Sequence, residues 1–262
     1  KLGGKELGYV SDLDLVFLYQ DDHPDAAEIY AKLAQSINSW LTRPTSAGLL
    51  YDTDLRLRPN GASGLLVHSM DAFTQYQHEQ AWVWEHQALT RARYVVGDTH
   101  VGALFESTRK TILCKQRNPT ELSHEILKMR QKMLDAHPNF TTLFDIKHDR
   151  GGIIDVEFIV QYLVLGFSQQ FPQLTGNIGN IALLKLAAEL GLISTGKAEK
   201  ARTAYREFRR LQHRQRLSGD TDSIYNATAN APTQQFARVE GSHLQEDRLA
   251  VLSLWEDVFG DE

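Results

Sequence analysis

The chain has 262 residues, 42% hydrophobic and 23% charged, with a formal net charge of −5. That length buries one large core or two moderate ones, and the negative balance excludes a general grip on nucleic acid. Cys114 is the single cysteine, which excludes an intrachain disulfide, and Asp155, Glu157 and Gln161 interrupt the longest apolar stretch before it reaches the roughly 18 residues of a membrane span. No membrane association and a reducing, cytoplasmic compartment are therefore expected.

In chain order, the first informative element follows Gly3 and Gly4. The run Ser11-Asp12-Leu13-Asp14-Leu15-Val16-Phe17-Leu18-Tyr19 reads as an apolar strand with two aspartates one residue apart. Successive side chains on a strand face opposite ways, so Asp12 and Asp14 share one face while Leu13, Leu15 and Phe17 share the other. Carboxylates on one face raise each other's pKa unless a cation compensates them. Hard oxygen donors with no flanking Cys or His favour Mg²⁺ or Mn²⁺ over zinc. Gly3 and Gly4 allow a close backbone approach that suits the phosphates such a metal brings. A solvated strand end explains the same aspartates when they are taken alone.

Residues 24–41 then read as an amphipathic helix with Ile29, Leu33, Ile37 and Leu41 on its buried stripe. Residues 51–58 return to period two, placing Asp52, Asp54, Arg56 and Arg58 on one face and Leu55 and Leu57 on the other, before Pro59-Asn60-Gly61 turns the chain. The order strand, helix, strand allows Asp54 to approach Asp12 and Asp14, with the two arginines toward phosphate oxygens. Three carboxylates and nearby guanidiniums make up the kind of site that transfers phosphoryl or nucleotidyl groups with two metals.

These residues resemble a known family. Gly3-Gly4, Ser11-Asp12-Leu13-Asp14 and Asp54-Leu-Arg56-Leu-Arg58-Pro59 are similar to the nucleotidyltransferase superfamily that includes DNA polymerase beta. Within it, Lys1-Leu-Gly-Gly-Lys-Glu-Leu, Leu57-Arg-Pro-Asn-Gly-Ala-Ser-Gly-Leu-Leu-Val67 and Trp84-Glu-His-Gln-Ala-Leu-Thr-Arg-Ala-Arg93 resemble the bifunctional glutamine synthetase adenylyltransferase/adenylyl-removing enzymes. So do Phe144-Asp-Ile-Lys147 and Gly151-Gly-Ile-Ile-Asp155-Val-Glu157.

The resemblance implies the C-terminal, adenylylating half, in which ATP donates AMP to a tyrosine hydroxyl of glutamine synthetase. Asp12, Asp14 and Asp54 would then be catalytic and metal-binding, with Gly3, Gly4, Ser11, Arg56 and Arg58 toward the nucleotide phosphates, Mg²⁺ or Mn²⁺ as cofactor and PII signal protein as a further partner. The deadenylylating half, which removes the AMP group by phosphorolysis and releases ADP, and a non-catalytic module binding PII or glutamine synthetase are the alternatives. The chain opens partway through the glycine motif, so a further strand is expected upstream.

Past Gly97-Asp98 the pattern becomes helical, with helices expected over 101–113, 120–136, 153–167, 178–190 and 197–217. The expected fold is α+β. Residues 1–98 would be a polymerase beta-like catalytic domain with a mixed sheet, and 99–262 an all-α bundle like that of the PII uridylyltransferases. Asp155 and Glu157 read as capping charges at a helix start, with a nucleotide contact as the other reading. Residues 197–216 carry eight basic and two acidic residues, a solvated face or a dock for an acidic surface. Tyr76, Trp82 and Trp84 read as core aromatics, or as a stack for adenine. His68, His78 and His86 read as surface or packing residues.

Overall fold

A computed structural model of the chain describes residues 2–9, 11–46, 48, 51–218, 238–239 and 244–260. It is helix-rich with small sheets and divides into two compact units, Lys1–Gln116 with Ser168–Asn177, and Arg117–Phe167 with Ile178–Glu262.

The first unit begins with β1 (Leu13–Asp14) and β2 (Phe17–Tyr19), crosses through α1 (Ala26–Thr42), and returns in β3 (Thr53–Asp54) and β4 (Val67–Ser69). β1 runs parallel to β3 and β2 parallel to β4, as strands joined through a helical crossover must. The expected single strand over 11–19 is thus two short ones. The chain changes neighbour between them, since the Leu15 N–H still donates to the Asp54 carbonyl at 2.9 Å while Phe17 already faces Val67.

The helix is present, but its buried face differs from the expected stripe. α1 lies on β3 and β4 through Ala26 and Ala34, and Ile29 and Leu33 are 51% and 47% exposed. Alanines let the backbone approach the strands closely, which turns the helix about one residue from the phase its larger apolar side chains suggested. Asn38 fixes this phase by accepting a 2.6 Å hydrogen bond from the Thr53 hydroxyl on β3.

The second acidic strand stops at Asp54 instead of continuing to Arg58. Its side chain accepts from the Arg56 N–H at 2.8 Å, a local bond that competes with the strand ladder and turns the chain. Asn60 and Gly61 then adopt left-handed backbone (φ 60° and 57°), and a 3₁₀ turn at Gly61–Ser63 leads into β4.

Three helices complete this unit. In α2 (Met70–Glu79) the Ser69 hydroxyl caps the Ala72 N–H, in α3 (Val83–Leu89) Glu85 reaches back to the Trp82 N–H, and in α4 (Thr99–Leu113) Asp98 caps His100 and Val101. α4 packs on α2 and α3, so the division between the units falls at Gln116, beyond the change of pattern at Gly97-Asp98. Buried Arg109 of α4 donates to the carbonyls of Leu89, Thr90 and Thr175, which ties the returning segment to this unit.

The second unit is built around α6 (Ile153–Phe167), in which every residue from Ile153 to Leu165 is buried. A helix apolar on all sides needs neighbours all round, and α5 (Pro119–Ala136), α7 (Asn180–Glu189), α8 (Thr195–Ser218) and α9 (Gln245–Phe259) supply them. A short antiparallel pair, β5 (Phe144–Asp145) with β6 (Arg238–Val239), lies alongside. Asp155 serves as the expected cap by accepting from the Gly151 N–H at 2.6 Å, and it also pairs with fully buried Arg130 at 2.5 Å. α8 packs through Ala198, Ala201, Ala204, Tyr205 and Phe208, and part of its charge pairs within the chain: Lys197 with Asp257, Arg202 with Glu199, Arg210 with Glu207. Among the described residues no helix is long and apolar enough to cross a membrane.

Candidate functional site

The parallel pairing of β1 with β3 puts Asp14 directly opposite Asp54 in register. Leu13, between the two N-terminal aspartates, is buried, while Asp12 and Asp14 are exposed on the other face, as the alternation requires. The Leu13 N–H donates to the Asp52 carbonyl at 2.8 Å, which fixes this register at its N-terminal end. Two carboxylates therefore face each other across adjacent strands, and a third leaves the same face one step upstream.

The positive charge that such a group demands comes from Arg56. Its guanidinium forks onto Asp54, with Nε 3.0 Å and 2.9 Å from the two carboxylate oxygens and Nη2 2.5 Å from Oδ2. The fork, opposed in part by burial and supported by the Arg56 N–H and the charges of Arg56 and Arg58, holds the Asp54 carboxyl below the usual carboxylate range. Reciprocally, the hydrogen bond and charge of Asp54, and then the charges of Asp14 and Asp12, raise the pKa of Arg56. All three aspartates thus act electrostatically on one guanidinium. The donor set suits a hard divalent cation, all oxygen and unmixed with Cys or His. Among the described residues, though, no three acidic, His or Cys side chains are gathered closely enough to hold a metal as they stand.

The other expected phosphate contacts are placed differently. Arg58 donates to the carbonyls of Leu55, Ala62 and Gly64 at 2.6, 3.0 and 3.1 Å, so its guanidinium clamps the turn after β3. Gly3 lies against the Arg91 and Ala92 backbone, where a β-carbon would collide with the Arg91 carbonyl oxygen. Asn177 donates to both the Gly3 and Ala92 carbonyls at 3.0 Å. Gly4 is buried beside the Arg91 side chain, and Ser11 is half-buried next to Asp12.

Of the aromatics, Tyr76 alone fits the core reading. Its hydroxyl donates to Glu85 at 2.9 Å and accepts from the Asn60 N–H, whereas Trp82 and Trp84 are exposed. A cavity of about 240 Å³ opens beside Tyr76, lined also by Pro59, Asn60, His68, Ala72, Gln75 and Gln80. Burial, with a contribution from the charge of Arg58, lowers the His68 pKa despite the Leu65 carbonyl, which favours the neutral imidazole. His86 is buried, with Nε2 3.0 Å from the Gln77 carbonyl. Reading from the sequence missed the Asn38 tie to Thr53 that steadies β3, because nothing local to Asn38 signals a partner fifteen residues away.

Residues 1–108 match the model of the glutamate-ammonia ligase adenylyltransferase family, and residues 121–259 match that of the GlnD PII-uridylyltransferase family. The chain is 70% identical over 260 residues to a bifunctional glutamine synthetase adenylyltransferase/adenylyl-removing enzyme of Nitrosomonas europaea, covering 99% of this chain and 28% of the relative. The corresponding protein of Nitrosomonas eutropha is 68% identical over the same shares, and that of Chromobacterium violaceum 62% identical over 83% of this chain and 24% of its own. The chain spans about a quarter of the length of these curated relatives. With similarity this high along nearly its whole length, the chain belongs to the family of the bifunctional glutamine synthetase adenylyltransferase/adenylyl-removing enzymes, and its residues 121–259 to a PII-uridylyltransferase-type region.

Proposed function

We propose that the first unit is a polymerase beta-like nucleotidyltransferase domain and that it moves AMP from ATP to a tyrosine hydroxyl of glutamine synthetase. The observation that carries this reading is Asp14 opposite Asp54 across β1 and β3, with Asp12 on the same face. Facing carboxylates are unfavourable for a fold to assemble without a cationic purpose. Asp12 and Asp14 would hold both divalent cations, and Asp54 would hold the catalytic one. When bound, Mg²⁺ or Mn²⁺ supplies charge neutralisation at the phosphates and at the attacking oxygen. Asp54, kept ionised at neutral pH, is assigned to draw the proton from the tyrosine hydroxyl. Arg56, once off Asp54, presents a planar fork that matches phosphate oxygens. Arg58 holds the turn that carries Asp54 and takes a positioning role, as does Gly3. The helical second unit is assigned to regulation, with PII protein as its partner.

The test is intact mass spectrometry of unmodified glutamine synthetase incubated with this chain, ATP and Mg²⁺. A gain of one AMP per modified subunit, absent with Asp14→Asn or Asp54→Asn, supports the reading. The relatives' names also include an adenylyl-removing activity. A second arm therefore starts from adenylylated glutamine synthetase and phosphate, where loss of the adenylyl group with formation of ADP assigns the phosphorolytic removal instead. No change in either arm reduces the chain to a binding module.

A further inference from the structure

We propose that Arg56 is a built-in stand-in for the metal: its guanidinium occupies the Asp54 carboxylate in the metal-free chain and must be displaced for a divalent cation to bind. This rests on the metal-binding reading of Asp12, Asp14 and Asp54. The geometry is specific. Three contacts of 2.5–3.0 Å engage both carboxylate oxygens, so no oxygen of Asp54 is left for a cation to take without competition.

The exchange is easy because the latch is superficial. The Arg56 side chain is 78% exposed while that of Asp54 is 18% exposed, so the arginine leaves into water while the carboxylate stays in place. A long side chain two residues from its partner can swing away without moving β3, and the backbone bond from the Arg56 N–H to Asp54 continues to hold the carboxylate's orientation. An exposed ion pair is weak, so the competition raises the cation's dissociation constant by only about two- to fivefold. The consequence is that the site is never a bare cluster of like charges: one cation replaces another.

The test is Mn²⁺ binding to the whole chain, read from the electron paramagnetic resonance signal of free Mn²⁺, with no reaction involved. Arg56→Gln is expected to bind Mn²⁺ about two- to fivefold more tightly than the wild type. Arg56→Lys, which keeps the charge but loses the fork, falls between them. In an Asp54→Asn background the Arg56→Gln gain disappears, because the contact through which it acts is gone. Saturable binding that Arg56→Gln leaves unchanged or weakens overturns the latch while leaving the metal site standing, and so does a gain that persists with Asp54→Asn. Failure of both wild type and Arg56→Gln to bind Mn²⁺ up to millimolar concentrations overturns the metal-binding reading and the latch with it.

Discussion

Replacing Arg130 by methionine keeps an unbranched apolar stem and removes the guanidinium and its charge from the centre of the second unit. Arg130 is 1% exposed and Asp155 fully buried, with Nε 2.5 Å from Oδ1. The same guanidinium donates to the carbonyls of His148 at 2.8 Å and Asp149 at 3.3 Å. Its loss leaves a carboxylate unpaired in the interior and two loop carbonyls short of a donor. Removing one partner of a buried pair costs about 3–5 kcal/mol. With a urea m-value of about 2 kcal/mol/M, the unfolding midpoint of this unit falls by about 1.5–2.5 M. Trp255 is a natural reporter, being buried at 3% exposure under Arg150, while Trp40, Trp82 and Trp84 are exposed and lie in the first unit. Its fluorescence therefore follows the second unit selectively. The double variant Arg130→Met/Asp155→Leu recovers part of the loss, because two apolar side chains replace the pair, although the Gly151 N–H then lacks its acceptor. A midpoint drop below about 0.5 M for the single variant, or a double variant worse than the single, refutes the reasoning.

Acid should weaken the same unit through Asp145. Burial alone would raise its pKa, but hydrogen bonds from the His148 side chain and N–H, the charge of His148 and the Lys147 N–H outweigh it and hold the carboxyl below its ordinary value. A folded pKa below the unfolded one gives a stabilisation that is complete above about pH 4 and lost as pH falls through the folded value. Urea midpoints from pH 7 down to 3 should fall more steeply for the wild type than for Asp145→Asn; parallel profiles contradict this. In the first unit, Gly3→Ala drives a methyl into the Arg91 carbonyl and should cost about 1–3 kcal/mol, whereas Gly4→Ala meets only the Arg91 side chain at 3.5 Å and should be nearly silent. Equal losses in thermal unfolding of the two variants contradict the packing role of Gly3.

The helices α5 to α8 of the second unit were legible because their signals are local, whereas α9 (Gln245–Phe259) lies beyond the last helix expected from the pattern. The apolar run of α6 begins at Ile153 and ends at Phe167 as its pattern indicates, after the Gly151-Gly152 break. The strands were legible only in part. Alternation identifies the faces of Asp12, Leu13 and Asp14, yet it cannot detect the side-chain bond from Asp54 to the Arg56 N–H that ends β3. β4 and its pairing with β2 depend on residues some fifty positions apart, for which neither strand carries a mark. The face of α1 was misread because Ile29 and Leu33 satisfy the helical period as well as Ala26 and Ala34 do, and only the approach to the strands selects the smaller pair. At the site, the positive group beside Asp54 is the Arg56 guanidinium. Arginines two and four residues beyond Asp54 looked equivalent as phosphate ligands, but the turn separates them: Arg56 reaches back to Asp54, and Arg58 is enclosed by carbonyls.

The central claim is that the carboxylates brought together by β1 and β3 hold a divalent cation. Its most direct test is a crystal of the chain grown with Mn²⁺ and a non-hydrolysable ATP analogue, with data collected at the manganese edge. The account predicts an anomalous peak coordinated by Asp14 and Asp54, with the Arg56 guanidinium turned away from Asp54. Manganese elsewhere, with the Arg56 fork still closed on the carboxylate, would contradict it.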